Sequence, residues 1–182
     1  WDSVHITEPF VLDDESEYKM YYTAWGGPTA TSIGLATSAD GIVWTKHADN
    51  PIFRPRAGAW DSFSVNALSI LKEDGVYRMW YSGDDGASSG IGYATSQDGV
   101  TWVRLSEPVL RQTAGAWDQG SITAPNVIRD GDGYKMYYMG NDGVVWRVGL
   151  ATSDDGIVWT KHPANPLFAP RPGNWDSNEV GH

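Results

Sequence analysis

The chain has 182 residues and a formal net charge of −10, so its surface repels phosphate backbones. It has no cysteine, which excludes disulfides and thiolate metal sites, and no apolar stretch long enough to span a membrane. We therefore expect no nucleic-acid or membrane partner, no metal site and no cofactor. Twenty-one glycines and ten prolines indicate many turns, and the composition is typical of an all-β protein.

The chain starts abruptly at Trp1, with no signal peptide before it. Such a start is expected of a processed or trimmed chain. We therefore expect an extracellular or periplasmic protein of bacterial type.

A Trp-Asp pair recurs at intervals of 59, 57 and 58 residues. Aromatic segments at 18–22, 77–81 and 134–138 keep the same step. A common period at several landmarks is the signature of a repeat architecture. It predicts one partial domain, 1–182, with units of about 1–59, 60–116 and 117–174 and the start of a fourth at 175–182.

Each unit contains four short runs of strand-forming residues separated by turn signals. In the first unit these are strand A (Val4 to Leu12), strand B (Tyr18 to Ala24), strand C (Ile33 to Ser38) and strand D (about Val43 to Phe53). Asp-Gly in every C–D link favours a tight hairpin. Four antiparallel strands at this period predict an all-β fold, a β-propeller with three complete blades and the start of a fourth.

A Ser-x-Asp-Gly-x-x-Trp element closes strand C at 38–44, 96–102 and 153–159, and it resembles the Asp-box turn of sialidase propellers. Since it occurs in every unit, we predict a structural role, with the Asp accepting backbone N–H groups and the Gly at positive φ. The same reasoning predicts that the acids of the Trp-Asp pairs cap turns. These are Asp2, Asp61, Asp118 and Asp176.

The antiparallel order places the B–C and D–A connections on one face of the disc. The B–C loops at 24–32, 83–89 and 140–147 differ among the units, as expected of a binding face on a common scaffold. Aromatic rings on such a face can stack against sugars. The candidate ligand-binding residues on these loops are Trp25, Asp84, Trp146 and Arg147.

Strand A lines the central funnel of a propeller, and its first residues lie near the same face. At equivalent positions the units have His5, Ser64, Ser121 and Glu179, then Thr7, Asn66, Thr123 and Gly181, then Glu8, Ala67, Ala124 and His182. A purely structural role would keep these positions alike. Their divergence into polar and titratable types adds His5 and Asn66 to the candidate ligand-binding residues.

Three segments together resemble the blade signature of the arabinanase, levansucrase and invertase superfamily of five-bladed propeller glycosidases, which includes the mannoside phosphorylases. They are His5 to Pro9, Tyr18 to Tyr22, and Ile33 to Trp44 with its Asp-Gly step. The resemblance covers essentially the whole chain, mostly through scaffold residues. It implies a carbohydrate-active protein that cleaves oligo- or polysaccharides with carboxylates in the funnel.

The resemblance also implies which carboxylates act. The superfamily has a first-blade His-x-x-Asp-Pro motif whose Asp serves as base or nucleophile, and Glu8 stands at that place here. Glu179 is the nearest candidate for the acid of a later blade. The alternative functions are a glycan-binding propeller without catalysis and a scaffold for protein partners.

Three units cannot close a ring, because propellers need about four to eight blades. We expect the open faces to be covered in one of two ways. Two copies complete a six-bladed dimer, or the chain is part of a longer one.

Overall fold

A computed structural model describes residues 1–26, 30–171 and 173. Within these ranges the chain forms thirteen strands and no helix. No helix long and apolar enough to cross a membrane is found there. The predicted all-β class is confirmed.

The strands form three separate antiparallel sheets. Sheet 1 contains β1 (His5–Asp13), β2 (Tyr18–Trp25), β3 (Ser32–Ser38) and β4 (Thr45–Lys46). Sheet 2 contains β5 (Ser64–Glu73), β6 (Val76–Asp84), β7 (Ser89–Ser96), β8 (Val103–Arg104) and β9 (Leu110–Arg111). Sheet 3 contains β10 (Ser121–Asp130), β11 (Gly133–Asn141), β12 (Trp146–Ser153) and β13 (Thr160–Lys161).

The predicted strand D is wrong as a single continuous strand. In sheet 1 only β4 pairs with β3, and the chain then leaves the sheet and returns through one bridge between Phe53 and Ile33. The Asn50 side chain bonds both the N–H and the carbonyl of Leu35, each at 2.8 Å, in place of a strand backbone. Pro51, which has no N–H to donate, follows directly.

The Ser-x-Asp-Gly element forms the predicted turn. Asp40 Oδ1 accepts the N–H groups of Ile42 at 2.8 Å and Val43 at 2.9 Å, and Gly41 has a φ of 72°. The same bonds recur at Asp98 and Asp155. The element therefore builds the C–D hairpin of every sheet.

The three sheets stack face to face through two apolar cores. One core joins sheets 1 and 2 around Tyr21, Phe53 and Ile70, and the other joins sheets 2 and 3 around Trp80 and Tyr134. The Trp80 ring lies 5.7 Å from the Tyr134 ring, and its N–H donates to Gly156 O at 2.8 Å. Large aromatic side chains thus take part in both cores between the sheets.

A charged cluster joins sheets 1 and 2 beside the first core. The buried Asp14 carboxylate accepts hydrogen bonds from Lys19 of its own sheet and from Lys72 and Tyr77 of sheet 2. Burial acts to raise the pKa of Asp14, but the bonds from Lys19, Lys72 and Tyr77 outweigh it and lower the pKa to about 2. The cluster therefore stabilises the ionised carboxylate and the contact between the sheets.

Sheets 2 and 3 share an equivalent cluster. Glu73 accepts a hydrogen bond from Tyr134 of sheet 3 at 2.6 Å. It also pairs with Arg78 of its own sheet at 3.1 Å and with Arg129 of sheet 3 at 3.3 Å. We call each such cluster a latch: an acid and a base on one sheet, with a base and a tyrosine on the next.

The prediction that the Trp-Asp acids cap turns is wrong for Asp61. This fully buried carboxylate accepts hydrogen bonds from Arg56 at 3.0 Å, Arg104 at 2.9 Å and the Tyr81 hydroxyl at 2.9 Å. Trp60 stacks on the Tyr81 ring. Asp61 therefore connects β6, which carries Tyr81, with the outer strand β8, which carries Arg104. This role depends on side chains 20 and 43 residues away in the sequence.

The equivalent acids behave similarly. Asp2 bonds Lys46 and Tyr22, and Asp118 bonds Lys161 and Tyr138. Asp118 also accepts the N–H of Thr113 at 3.3 Å, which is a backbone bond of the predicted kind. Asp176 lies outside the described residues.

We predict that Asp14→Asn lowers the free energy of unfolding by about 2 kcal/mol at pH 7, as expected from a pKa shift of this size. The depressed pKa stabilises the folded state above about pH 4, and this stabilisation is lost as the pH falls towards 2. Denaturant unfolding at several pH values measures both effects. The acid-induced loss should be smaller in the variant than in the wild type. Asp13→Asn, at an exposed neighbouring acid, is the control and should change neither quantity.

We predict that Asp61→Asn costs about 3 to 5 kcal/mol of stability, because it leaves Arg56 and Arg104 without their buried counter-charge. Asp2→Asn is the matched control, since its partner Lys46 is exposed, and should cost less than about 1 kcal/mol. Thermal unfolding of both variants measures the difference. Equal losses would contradict the proposed role of burial.

Candidate functional site

The starts of the A strands and the ends of the B strands meet at one edge of each sheet, as predicted. His5 pairs with Trp25 in sheet 1, Ser64 with Asp84 in sheet 2, and Ser121 with Asn141 in sheet 3. The B–C loops and the D–A connections leave from this same edge. We call this edge of the stack the loop face.

A cleft of about 360 Å³ opens on the loop face between sheets 2 and 3. Its size falls in the range of small-ligand sites. Three of the predicted ligand-binding residues line it: Asn66, Asp84 and Trp146. The rest of the lining consists of residues 82–83, 86–89 and 120–123.

Asp84 carries the one carboxylate among the described residues that line this cleft. It ends β6, and its Oδ2 accepts a hydrogen bond from the Ser64 hydroxyl of the neighbouring strand. Its Oδ1 accepts the N–H of Gly86 at 3.0 Å. These two bonds hold the carboxylate in one position at the cleft wall.

Hydroxyl groups from both sheets form the rest of the polar wall. Ser82 Oγ accepts a hydrogen bond from Thr123 Oγ1 at 3.0 Å, and Ser89 Oγ lies 3.0 Å from Ser121 Oγ. Sequence reasoning missed Ser82 and Ser89 because serine is common in turns. The available signal was their position near the end of strand B and at the start of strand C, on either side of a loop that varies among the units.

Each A strand contains a bulge at the position where the units diverge in sequence. Glu8, Ala67 and Ala124 occupy it with φ values of 50°, 35° and 51°. Non-glycine residues rarely adopt this backbone region, and such strain is concentrated at functional sites. Three equivalent strained positions therefore border the funnel side of the sheets.

Glu8 reaches from sheet 1 to sheet 2 at this bulge. Its Oε2 accepts the N–H of Ala67 at 3.0 Å. The same N–H also donates to Thr23 Oγ1 at 3.2 Å. Ala67 follows Asn66, which lines the cleft. Glu8 itself is exposed and is not part of the cleft lining.

His5 and Trp25 form an aromatic pair at the loop face of sheet 1, with ring centroids 4.5 Å apart. They lie across from each other on β1 and β2 and do not line the cleft between sheets 2 and 3. The structure thus brings Asn66, Asp84 and Trp146 together and places this pair one sheet away.

Arg147 holds a loop rather than lining the cleft. Its guanidinium donates to Asp142 Oδ2 at 2.9 Å, and Asp142 Oδ1 accepts the N–H groups of Val144 and Val145. The bond from Val145 N–H and the pairing with Arg147 lower the pKa of Asp142 to about 2. Arg147 therefore orders the B–C loop that precedes Trp146 in the chain.

The predicted acid Glu179 lies outside the described residues, as do Gly181 and His182. Across residues 1–26, 30–171 and 173, no three His, Asp or Glu side chains converge in a way that could hold a metal ion.

Comparison with known proteins identifies the family. A sequence profile of the glycoside hydrolase family 130, described as β-1,4-mannooligosaccharide phosphorylase, matches residues 17–181. The chain belongs to this family. The resemblance to propeller glycosidases predicted from the blade signature is confirmed.

Two curated proteins are similar to this chain. An uncharacterised protein of Mycobacterium tuberculosis is 30% identical over 172 residues, covering 88% of this chain and 56% of the relative. A 1,2-β-oligomannan phosphorylase of Thermoanaerobacter is 28% identical over 126 residues, covering 63% of this chain and 42% of that protein. The chain thus spans only about half the length of its relatives.

Solved structures confirm the propeller fold. A family 130 structure, from work on hydrolases that target β-1,2 mannosidic linkages in Candida mannan, matches with a TM-score of 0.72 and 23% identity. The match covers 98% of this chain and 55% of that one. A thermostable family-43 glycoside hydrolase matches with a TM-score of 0.73 and 24% identity, over 90% of this chain and 55% of that one.

Proposed function

We propose that this chain forms the glycan-binding and part of the catalytic surface of a glycoside hydrolase acting on oligo- or polysaccharides. The observation that supports this most is the position of Asp84, a fixed carboxylate in a hydroxyl-lined cleft on the loop face. Membership in family 130 supports the same class of substrate.

The cleft has the chemistry that an uncharged sugar requires. Serine and threonine hydroxyls can both donate to and accept from sugar hydroxyls. Trp146 supplies an aromatic surface beside them, on which the apolar face of a pyranose can stack. A few fixed polar groups next to one aromatic side chain are typical of a small-ligand site.

Hydrolysis of a glycosidic bond in most glycoside hydrolase families uses two carboxyl groups, one to protonate the leaving oxygen and one to activate water or attack the sugar. We propose Asp84 as one of them. Glu8 is the proposed second group, because it reaches the strand that carries Asn66 into the cleft. The proposal that Glu179 acts as an acid from a later blade stays a prediction.

Hydrolysis is favoured over phosphorolysis for this cleft. Cationic side chains bind inorganic phosphate strongly. The described lining contains no Lys, Arg or His, and Arg147 nearby is already paired with Asp142. Product formation with and without inorganic phosphate tests this choice. A hydrolase releases free sugar in both conditions, whereas a phosphorylase forms sugar phosphate only when phosphate is present.

A glycan-binding protein without catalysis is the second candidate. It is supported by the presence of a single carboxylate in the described lining of the cleft. Assays with aryl glycosides and with plant and microbial polysaccharides separate the two, because a binding protein retains the glycan without cleaving it.

We predict that Asp84→Asn lowers kcat about 10²- to 10⁴-fold, the usual loss when an acid–base group is removed. Asp85→Asn is the control, since Asp85 is exposed and its carboxylate only accepts loop N–H groups from Ala87 and Ser88. It should retain near wild-type turnover.

Glu8→Gln keeps an acceptor for the Ala67 N–H and should also lose turnover. Full turnover in both Asp84→Asn and Glu8→Gln would contradict the assignment.

We predict that Trp146→Ala raises KM about tenfold with a smaller change in kcat, because stacking binds the ground state and the transition state alike. Val144→Ala, at an exposed position of the same loop, should leave both constants unchanged. Initial-rate kinetics on one soluble oligosaccharide measures both variants. A fall in kcat alone would assign Trp146 a different role.

The proposed partner is a carbohydrate, and the expected extracellular or periplasmic location stays a prediction. Of the two expected ways to cover the open faces, the length of the relatives supports further blades in a longer chain over a six-bladed dimer.

A further inference from the structure

Phe63 is an aromatic residue on the loop face, directly before β5, and it is 47% exposed. Among the described residues, the other Phe, Tyr and Trp residues of comparable exposure are Tyr137 and Phe168 of sheet 3. Their counterparts in sheet 1, Tyr21 and Phe53, are buried in the core against sheet 2. The exposure of Phe63 has a different origin, because it leads into sheet 2, which has a sheet on each side.

The position of Phe63 is a lining position of the cleft, moved by one junction. The Phe63 N–H donates to Asp84 O at 2.9 Å, and in sheet 3 the Gly120 N–H donates to Asn141 O at 2.8 Å. Gly120 lines the cleft between sheets 2 and 3. By this equivalence, the Phe63 side chain lies on the loop face at the junction between sheets 1 and 2.

Trp25 belongs to the other wall of that junction. It ends β2 as Asp84 ends β6, and its carbonyl accepts the Val4 N–H at 3.2 Å as the Asp84 carbonyl accepts the Phe63 N–H. Asp84 lines the cleft from sheet 2, so Trp25 lies at the corresponding place on sheet 1. The His5 ring, 4.5 Å away, packs against the Trp25 ring.

The Phe63 ring lies directly beside the cleft. A β-carbon built on Gly86 would lie 3.8 Å from Phe63 Cγ, and Gly86 lines the cleft. The loop that carries Gly86 is ordered by two acids. Asp84 Oδ1 accepts the Gly86 N–H, and Asp85 Oδ1 accepts the next two N–H groups of the loop at 2.9 and 2.8 Å. The ring is therefore separated from the cleft by the backbone of one ordered loop.

Asn66 links the polar groups of the two junctions. It lines the cleft, and its side-chain amide donates to Thr31 Oγ1, in the B–C loop of sheet 1, at 3.5 Å. Hydrogen-bonding groups for sugar hydroxyls thus continue from the cleft to sheet 1. The aromatic surface and the polar surface follow the same direction across the loop face.

We propose that Phe63 and Trp25 form a second sugar-binding subsite, which holds the part of an uncharged glycan that extends out of the cleft past Gly86. This inference rests on the proposed function of the cleft. The face of an exposed aromatic ring can stack against the apolar face of a pyranose. Contacts remote from the cleaved bond add binding energy only for substrates long enough to reach them. The subsite therefore selects longer oligosaccharides over a disaccharide.

Calorimetric titration of the protein with mannooligosaccharides of increasing length, from the disaccharide upward, tests the proposal. Both β-1,4- and β-1,2-linked series are used, because the family description and a relative name these sugars. The wild type should bind the longest member of one series about tenfold or more tighter than its disaccharide. Phe63→Ala should lose most of this gain and affect the disaccharide least. Trp146→Ala, in the cleft, should weaken the binding of every length.

Further variants separate stacking from general apolar contact. Phe63→Tyr keeps the ring and should retain the gain with length, whereas Phe63→Leu keeps an apolar side chain without a ring face and should lose it. Trp25→Ala should reduce the gain as well. Val4→Ala is the matched control, because Val4 is an apolar residue, 55% exposed, at the equivalent position of sheet 1. It should bind all lengths as the wild type does, and circular dichroism checks that each variant is folded.

An affinity of the wild type that does not depend on length would overturn the subsite. An unchanged gain with length in Phe63→Ala or in Phe63→Leu would overturn it as well. These outcomes leave the cleft as a glycan site if Trp146→Ala still weakens binding. An absence of binding at every length in the wild type would instead contradict the proposed function, and this inference with it.

Discussion

Burial of one sheet against the next is the interaction on which the rest of this structure depends. A four-stranded sheet with apolar side chains on both faces cannot be stable alone, and each sheet here contacts its neighbours through a core of aromatic and aliphatic residues. Trp80 is fully buried only because sheet 3 covers it. The stability of each blade therefore depends on its contacts with the neighbouring blades as well as on its own strand pairing.

The polar contacts give these apolar junctions their register and their order. Apolar packing is non-directional and would tolerate sliding of one sheet over another. The Asp14 and Glu73 latches require a base and a tyrosine at defined points of the following sheet. The apolar cores of the two junctions are similar, but the charged groups distinguish the earlier sheet of each junction from the later one.

The candidate site is a consequence of this stacking. The cleft exists only between two sheets. Sheet 2 contributes the end of β6 and the start of β7 to its walls, and sheet 3 contributes the start of β10. The bulges at Ala67 and Ala124 are held by bonds from the preceding sheet: Glu8 Oε2 accepts the N–H of Ala67 at 3.0 Å, and Ser82 Oγ accepts the N–H of Ala124 at 2.9 Å. Strained backbone at the funnel therefore persists because neighbouring sheets constrain it.

Strand order, the repeat and the loop face were determined by the sequence, because period-2 patterning and turn residues act over short distances. Asp84 and Trp146 were also predicted as ligand-binding residues from loop variation, and Asn66 from divergence along strand A, although nothing in the sequence indicated that the three share one cleft. Only the tertiary structure decided that Asp61 is a buried ion-pair partner and that Asn50 interrupts strand D. These roles depend on contacts between residues up to 43 positions apart, such as Arg104 with Asp61, and such contacts exist only once each sheet has folded.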